Sequence, residues 1–510
     1  MPDNSSSSKR IAKNTLVLYF RMIFLMLVTL YTSRVILEAL GVEDYGIYNV
    51  VGGFVSMFAL ISAALTSACS RFLNFEMGKG NPERQNIVFS TAVTIQWMLA
   101  IIVFVIAEVF GIWYVNNVMV LPVERLSAAN WCFQFSVLAF CMNLITVPYN
   151  ASIIAHEKMK TFAYVSIYEG LAKLGISFLV FWDSFDRLIF YAMMLFFVQF
   201  TVRYSYQFYC RKHFAECLYK RVFDKQLLRN MLSYSVWHLV GNGAMVLKTH
   251  GVNLVLNLFF GPAVNAARGL ANQVDNAVGQ FVGNFMMAMN PQITQSYAKG
   301  DLNYMFKLVE KGAKLSFFLI LILALPIILN ANYMLNIWLK KVPDYTVIFV
   351  QLTLIGMMVG SLSRPLITAQ NATGNVRNYQ LIVGGINLLN LPLSYLFLVF
   401  GDSPEVVVVV AIIVELIAFI VRVCMITKTI PEFKPISYFR EVGGTCFVVA
   451  LLSVPIPLML NMVFDESFMM FIFNVIACVL VTSVVILYVG CSKNERHLLY
   501  SKVCQFKKNR

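Results

Sequence analysis

Fourteen stretches of this chain stay apolar for roughly the 20 residues that an α-helix needs to cross the hydrocarbon of a bilayer, and little polar sequence separates them. Positions 315–329 show the type, with one serine and no charge. Backbone amides cannot be left unpaired in hydrocarbon, so only helices or a closed barrel can span it. A barrel would read as short alternating segments, whereas these runs are unbroken. The sequence therefore predicts an all-α polytopic membrane protein with spans at 14–37, 47–70, 87–114, 126–149, 161–182, 188–209, 234–259, 268–290, 306–330, 345–368, 378–400, 405–427, 442–463 and 468–490. Composition agrees: 59% hydrophobic residues against 13% charged, with mean hydropathy +0.71. The first run follows Lys9, Arg10 and Lys13, is too long for a signal h-region and lacks a small-residue cleavage site, so it reads as a retained helix.

The net charge of +14 is explained by where the charge lies. With the N-terminus in the cytoplasm, 28 of the 40 Lys and Arg fall on the cytoplasmic side and only six on the other: Arg34, Arg125, Arg187, Arg268, Lys340 and Lys341. This is the positive-inside pattern, with both termini cytoplasmic and anionic lipid headgroups as partners, and it needs no nucleic acid. The ten cysteines contain no C-x-x-C pair and no metal-ligand spacing, so neither disulfides nor zinc are expected. Walker A, G-x-G-x-x-G and H-E-x-x-H patterns are absent, as is any loop large enough for a catalytic domain. No catalytic residue, cofactor or metal is assigned, and this chain alone is not an ATP-driven pump.

An internal repeat organises the spans. At an offset of 220 positions, Leu40-Gly41 and Gly46 face Phe260-Gly261 and Ala266, and Gly78-Lys79-Gly80-Asn81 faces Ala298-Lys299-Gly300-Asp301; at 217, Pro148 and Ala155 face Pro365 and Ala372. Two copies of six helices follow, in the same orientation, with two helices appended. The expected organisation is a tail at 1–13, a bundle at 14–210, a basic linker at 211–233, a second bundle at 234–427, two further helices at 428–490 and a tail at 491–510. Parallel repeats of this kind commonly carry a substrate site between the halves. Gly279-x-x-x-Gly283 and Gly356-x-x-x-Gly360 read as ordinary close packing.

Charges inside spans are the candidate site, because each costs about 2.5–3.5 kcal/mol at a helix centre unless it meets a partner or water. Arg203 and Arg422 lie near span ends, where they are expected to snorkel. Glu169 and Lys173, four apart, are expected to pair. Arg364, preceding Pro365, either caps a broken helix or lines a cavity. Lys248 sits in mid-span with no acid within a turn of its own helix, on a face that carries Asn242, Thr249, Asn253 and Asn257 beside His250. The next span carries a second polar face of Arg268, Asn272, Asp275 and Gly279. The two faces predict a hydrated seam; the alternative is a buried hydrogen-bond network that only holds helices together. Arg21, Arg34, Lys248 and Arg268 are the candidate substrate-binding cations, with His250, Asn253, Asn272 and Asp275 as polar or coupling groups. Such a cavity suits a phosphate or pyrophosphate, whose oxygens match the guanidinium fork.

The run Arg34, Gly41, Tyr45-Gly46 and Tyr48, the stretch Ser70-Arg71-Phe72 to Lys79-Gly80-Asn81, and the Pro148 to Lys158 ending of the fourth span resemble the bacterial polysaccharide transporters. These are the O-antigen (Wzx-type) flippases of the multidrug/oligosaccharidyl-lipid/polysaccharide superfamily, and the likeness runs along essentially the whole chain. It implies a MATE-like fold in the inner membrane, and transfer of an undecaprenyl-diphosphate-linked oligosaccharide to the outer leaflet by alternating access. Partners would be that lipid-linked substrate, membrane lipids and other glycan-assembly membrane proteins. Related multidrug antiporters often carry an acid within the first helix, where this chain has Arg21. Two other readings stay open: a cation-coupled drug or metabolite exporter, and a membrane-embedded glycan polymerase or ligase. The short outer loops, the longest at about 331–344, count against the last.

Overall fold

Each expected span coincides with helix in a computed structural model, which describes the chain apart from residues 1–3, 57, 118–122, 182–185, 223, 261, 340–341, 464–466, 493–495 and 497–510. In chain order these are α1 (Asn4–Ser56, broken at Gly41), α2 (Ala59–Lys79), α3 (Pro82–Asn117), α4 (Leu126–Ala155), α5 (Met159–Leu179) and α6 (Arg187–His213). Next, α7 consists of Lys225–Val246, a π turn at Leu247–Gly251 and Val252–Phe260. It is followed by α8 (Pro262–Ala298), α9 (Leu302–Leu329), α10 (Thr346–Thr373), α11 (Arg377–Val399), α12 (Val406–Thr429), α13 (Pro435–Met462) and α14 (Phe468–Gly490). The expected loop at 331–344 contains a short helix, Ala331–Trp338. No strand occurs among the described residues, and ten of their helices are long and apolar enough to cross a membrane. The helices α2, α5, α7 and α8 are not among the ten.

Two compact units result: Met1–Leu239 with Tyr297–Lys299, and Val240–Ser296 with Gly300–Arg510. In the first, Val103, Phe133, Leu144 and Leu188 from α3, α4 and α6 lie in one buried apolar cluster. In the second, Tyr379, Val383 and Ala418 pack α11 onto α12, and Tyr438 donates its hydroxyl to the Leu362 carbonyl at 2.8 Å.

The repeated sequence signals recur as repeated caps. After α2, Gly80 takes the left-handed conformation at φ 71°, and Asn81 caps α3 by accepting from the Arg84 amide at 3.1 Å. After α8, Gly300 does the same at φ 76°, and Asp301 caps α9 by accepting from the Tyr304 amide at 3.1 Å. Glycine ends a helix in this way because the absent Cβ removes the left-handed clash, and Asn or Asp then satisfies an orphan amide of the next helix. At the other offset, positive φ recurs at Glu157 and Gly374.

The segment expected as a linker at 211–233 is built into the first unit. Asn86 donates to the carbonyls of Glu216 and Leu218 at 2.8 and 2.7 Å, Arg84 pairs with Asp224 at 2.8 Å, and His156 meets Glu216. Burial pushes the Glu216 carboxyl up, but His156 and backbone donation outweigh it and hold the group below its ordinary value. Basic residues there coat a folded turn, which the charge count alone did not reveal.

Another junction of the first unit is tied by Arg125, just before α4. Its guanidinium donates through Nε to Asp44 at 2.8 Å, pairs with both Asp44 and Asp186, and so joins the turn after Gly41 to the cap of α6. Asp186 accepts the Leu188 and Ile189 amides at 3.1 and 3.2 Å. Burial raises the Asp186 carboxyl, yet Arg125 and these amides prevail and leave it below its ordinary 3.8. Stability from such a depressed acid is present above the ordinary carboxylate value and is lost as pH falls through the folded one. Arg125→Ala is expected to cost about 2 kcal/mol, the scale of a charged hydrogen bond, with Arg125→Lys recovering only part. Thermal melting of the detergent-solubilised protein checks this, and the alanine variant's melting temperature should fall less on acidification than that of the parent.

Candidate functional site

Most of the charge buried within the helices of the second unit converges on one carboxylate. Lys248 lies in the π turn of α7, a local widening that turns side chains off the regular 3.6-residue period. Its Nζ donates to Asn387 Oδ1 of α11 at 3.1 Å and to Glu415 Oε2 of α12 at 3.2 Å. The other oxygen, Glu415 Oε1, accepts from Arg422 Nη1 at 2.6 Å. Seven residues is two helical turns, so Glu415 and Arg422 share a face of α12. Arg422 also donates to Ser363 Oγ at 3.1 Å and hydrogen-bonds Tyr379. Gly360 lies against the carboxylate, where a Cβ would come within 3.8 Å of it, so α10 approaches α12 closely at this point. Arg364, which opens the segment after the bend in α10, interacts electrostatically with both Glu415 and Asp275. Lys248, Glu415 and Arg422 thus form one ion-paired cluster, with the half-buried Arg364 and Asp275 beside it.

Arg268 stands outside it. It is 8% exposed on α8, Nη1 is buried without a hydrogen-bond partner, and it makes no ion pair among the described residues. Asn253 Oδ1 on α7 is likewise buried without a partner. Asn272 and Asp275 are half-buried.

The first unit holds its cations mainly on aromatic rings, whose faces carry negative potential. Arg21 lies 4.5 Å from the Phe162 ring centroid, donates to Ser166 Oγ at 3.3 Å and is within electrostatic reach of Tyr206 and Glu169. Arg71 stacks on Phe72 and Phe75 at 4.6 and 4.7 Å, with Tyr234 at 6.0 Å. Arg203 sits 4.2 Å over Tyr149. Glu169 accepts from Lys173 at 2.7 Å, the pairing expected from their spacing, and from Gln199 at 2.8 Å.

Of the candidate residues, Lys248, Arg268, Asn253, Asn272 and Asp275 fall in the second unit and Arg21 in the first. Arg34 is helical within α1, and His250, Thr249 and Asn257 within α7, but their side chains lie outside the described ones. Three expectations change. Lys248, without an acid on its own helix, is neutralised from α12. Arg422 and Arg203 do not snorkel: at 7% and 6% exposure, they turn inward to Glu415 and to Tyr149. Glu415 itself, the organiser of the cluster, went unassigned. Its signal was a lone acid in the apolar run at 406–421, which requires a buried partner by the same rule that singled out Lys248.

The comparisons agree with this architecture. The protein is 21% identical over 364 residues to the uncharacterized membrane protein EpsK of Bacillus subtilis (strain 168), covering 69% of this chain and 71% of that one. Among solved structures it resembles a MATE protein in the bent conformation (TM-score 0.73, 12% identity, 83% of this chain and 96% of that one). It also resembles the Vibrio cholerae MATE transporter VcmN (0.68, 15%, 85% and 99%) and the MATE transporter ClbM in complex with Rb+ (0.69, 14%, 84% and 96%). Likeness at such identities is one of fold. Residues 9–297, more than half of the chain, match the family of polysaccharide biosynthesis proteins. The chain therefore belongs to the polysaccharide biosynthesis protein family, as a multi-pass membrane protein with the fold of the MATE transporters.

Proposed function

We propose that this protein is a flippase that carries a lipid-linked oligosaccharide, with an undecaprenyl diphosphate anchor, across the bacterial inner membrane by alternating access. It is a transporter in this reading and not an enzyme, with both termini in the cytoplasm. The observation that carries the reading is a family membership in polysaccharide biosynthesis joined to a transporter fold with buried cations. Arg268 is the most telling of these, because a guanidinium held in a spanning helix with an unsatisfied Nη1 is poised for an anion. Phosphate is the anion that both the family's glycan chemistry and the guanidinium fork favour. The fold likeness to MATE transporters favours a second reading, a cation-coupled drug or metabolite exporter, and the same assays separate the two.

Orientation follows from the charge bias. In a cysteine-free background, a cysteine placed at Asp402 should react with an impermeant thiol reagent added from outside, and one at Lys79 should not; the reverse pattern contradicts the assignment.

Glycan display in a strain lacking its own transporter tests the function. Arg268→Ala is expected to reduce surface glycan about tenfold or more, the scale of one charged hydrogen bond, at normal protein level and with lipid-linked intermediate accumulating inside. Arg268→Lys should recover only part of it. Full display by a Lys248→Ala, Arg268→Ala double variant refutes a cationic site in the second unit. Unchanged display combined with lost drug resistance favours the exporter.

A further inference from the structure

Glu415 is unexpected in a site for an anion. Its two oxygens are divided between two cations, Oε2 to Lys248 at 3.2 Å and Oε1 to Arg422 at 2.6 Å. The remaining contacts of those cations are neutral: Asn387 Oδ1 on Lys248, and Ser363 Oγ and Tyr379 on Arg422. If the carboxylate is taken away, what remains is an anion site walled by α7, α10, α11 and α12, with an ammonium and a guanidinium around one point. A phosphate presents adjacent oxygens at much the same spacing as a carboxylate, and it can bridge the same two cations.

We propose that Glu415 is a built-in substitute for the substrate's phosphate, occupying the Lys248–Arg422 site in the empty protein and yielding it when a lipid-linked diphosphate enters. The chemical class of the ligand rests on the flippase reading above; the exchange itself rests on the geometry. Two physical reasons favour such a device. Cations left bare in a spanning helix would be uncompensated whenever the site is empty, and breaking a buried pair is strongly destabilising. A tethered carboxylate also competes at high effective concentration, so a weak monoanion cannot displace it while a multiply charged diphosphate can. Glu415 thereby acts as the specificity-determining residue.

A third cation lies near Glu415. Besides Lys248 from α7, Arg422 on its own helix and the Tyr379 hydroxyl from α11, the charged group facing it is Arg364 from α10, already within electrostatic reach and shared with Asp275.

The test is calorimetric binding of inorganic pyrophosphate to the purified full-length protein in detergent. Glu415→Gln keeps the shape and removes the competitor, so pyrophosphate should bind about tenfold tighter or more, the cost of one charged contact, and sulfate should now bind as well. Should that variant not accumulate, the Lys248→Gln, Glu415→Gln protein is compared with Lys248→Gln alone, in which Glu415 still holds Arg422; the double variant is expected to bind tighter. Unchanged or weaker pyrophosphate binding on removal of the carboxylate overturns the proposal, as does the absence of binding in parent and variant alike. A protein that gains pyrophosphate affinity in Glu415→Gln yet displays no glycan would refute the flippase reading and leave the counter-ion in place.

Discussion

Hydrocarbon offers an ion nothing, so a charged side chain within a spanning helix must be answered by a protein partner, by water or by a ligand. The constraint shapes both units. It draws Lys248 of α7 and Arg422 of α12 onto a single carboxylate, and brings Gly360 of α10 alongside that carboxylate. It sets Arg21, Arg71 and Arg203 on aromatic rings. Helix packing here is arranged around buried charge as much as around apolar surface.

The two units answer the constraint differently. Their boundaries are alike: the left-handed Gly80 and Gly300, and the Asn81 and Asp301 caps, recur at one offset and turn the chain in the same way. Their interiors are not alike. At the same offset, Lys248 corresponds to Val28 and Arg268 to Tyr48, and at the shorter one Glu415 corresponds to Val198. The caps recur at these offsets while the buried charges do not. Aromatic stacking leaves a guanidinium's edge nitrogens available, whereas a carboxylate consumes them.

Much of this was legible in the sequence for a simple reason. Spans are read from local composition, and the bilayer admits few alternatives, so all fourteen expected segments coincide with helix. The Glu169–Lys173 pair was legible because both members lie on one helix. Lys248 stands out in the sequence as a charge with no acid on its own helix, but the acid that meets it is Glu415, 167 residues away, and no helical period reports on a neighbouring helix. Arg203 and Arg422 misled because nearness to a span end permits snorkelling, whereas a ring or an acid within reach inside the protein competes with water for the same guanidinium. The segment 211–233 misled because its basic residues face outward while its backbone carbonyls are held by Asn86.

The proposed transfer of a lipid bearing a diphosphate-linked glycan from one leaflet to the other can be measured directly. Its most direct test is reconstitution into vesicles with a fluorescent polyprenyl-diphosphate glycan in both leaflets, followed by an impermeant quencher added outside. The account predicts that quenching runs nearly to completion in vesicles containing the protein, slows in the Arg268→Ala variant, and stops at the outer-leaflet pool in protein-free vesicles. Quenching that stops at the outer-leaflet pool with the intact, folded protein present would contradict it.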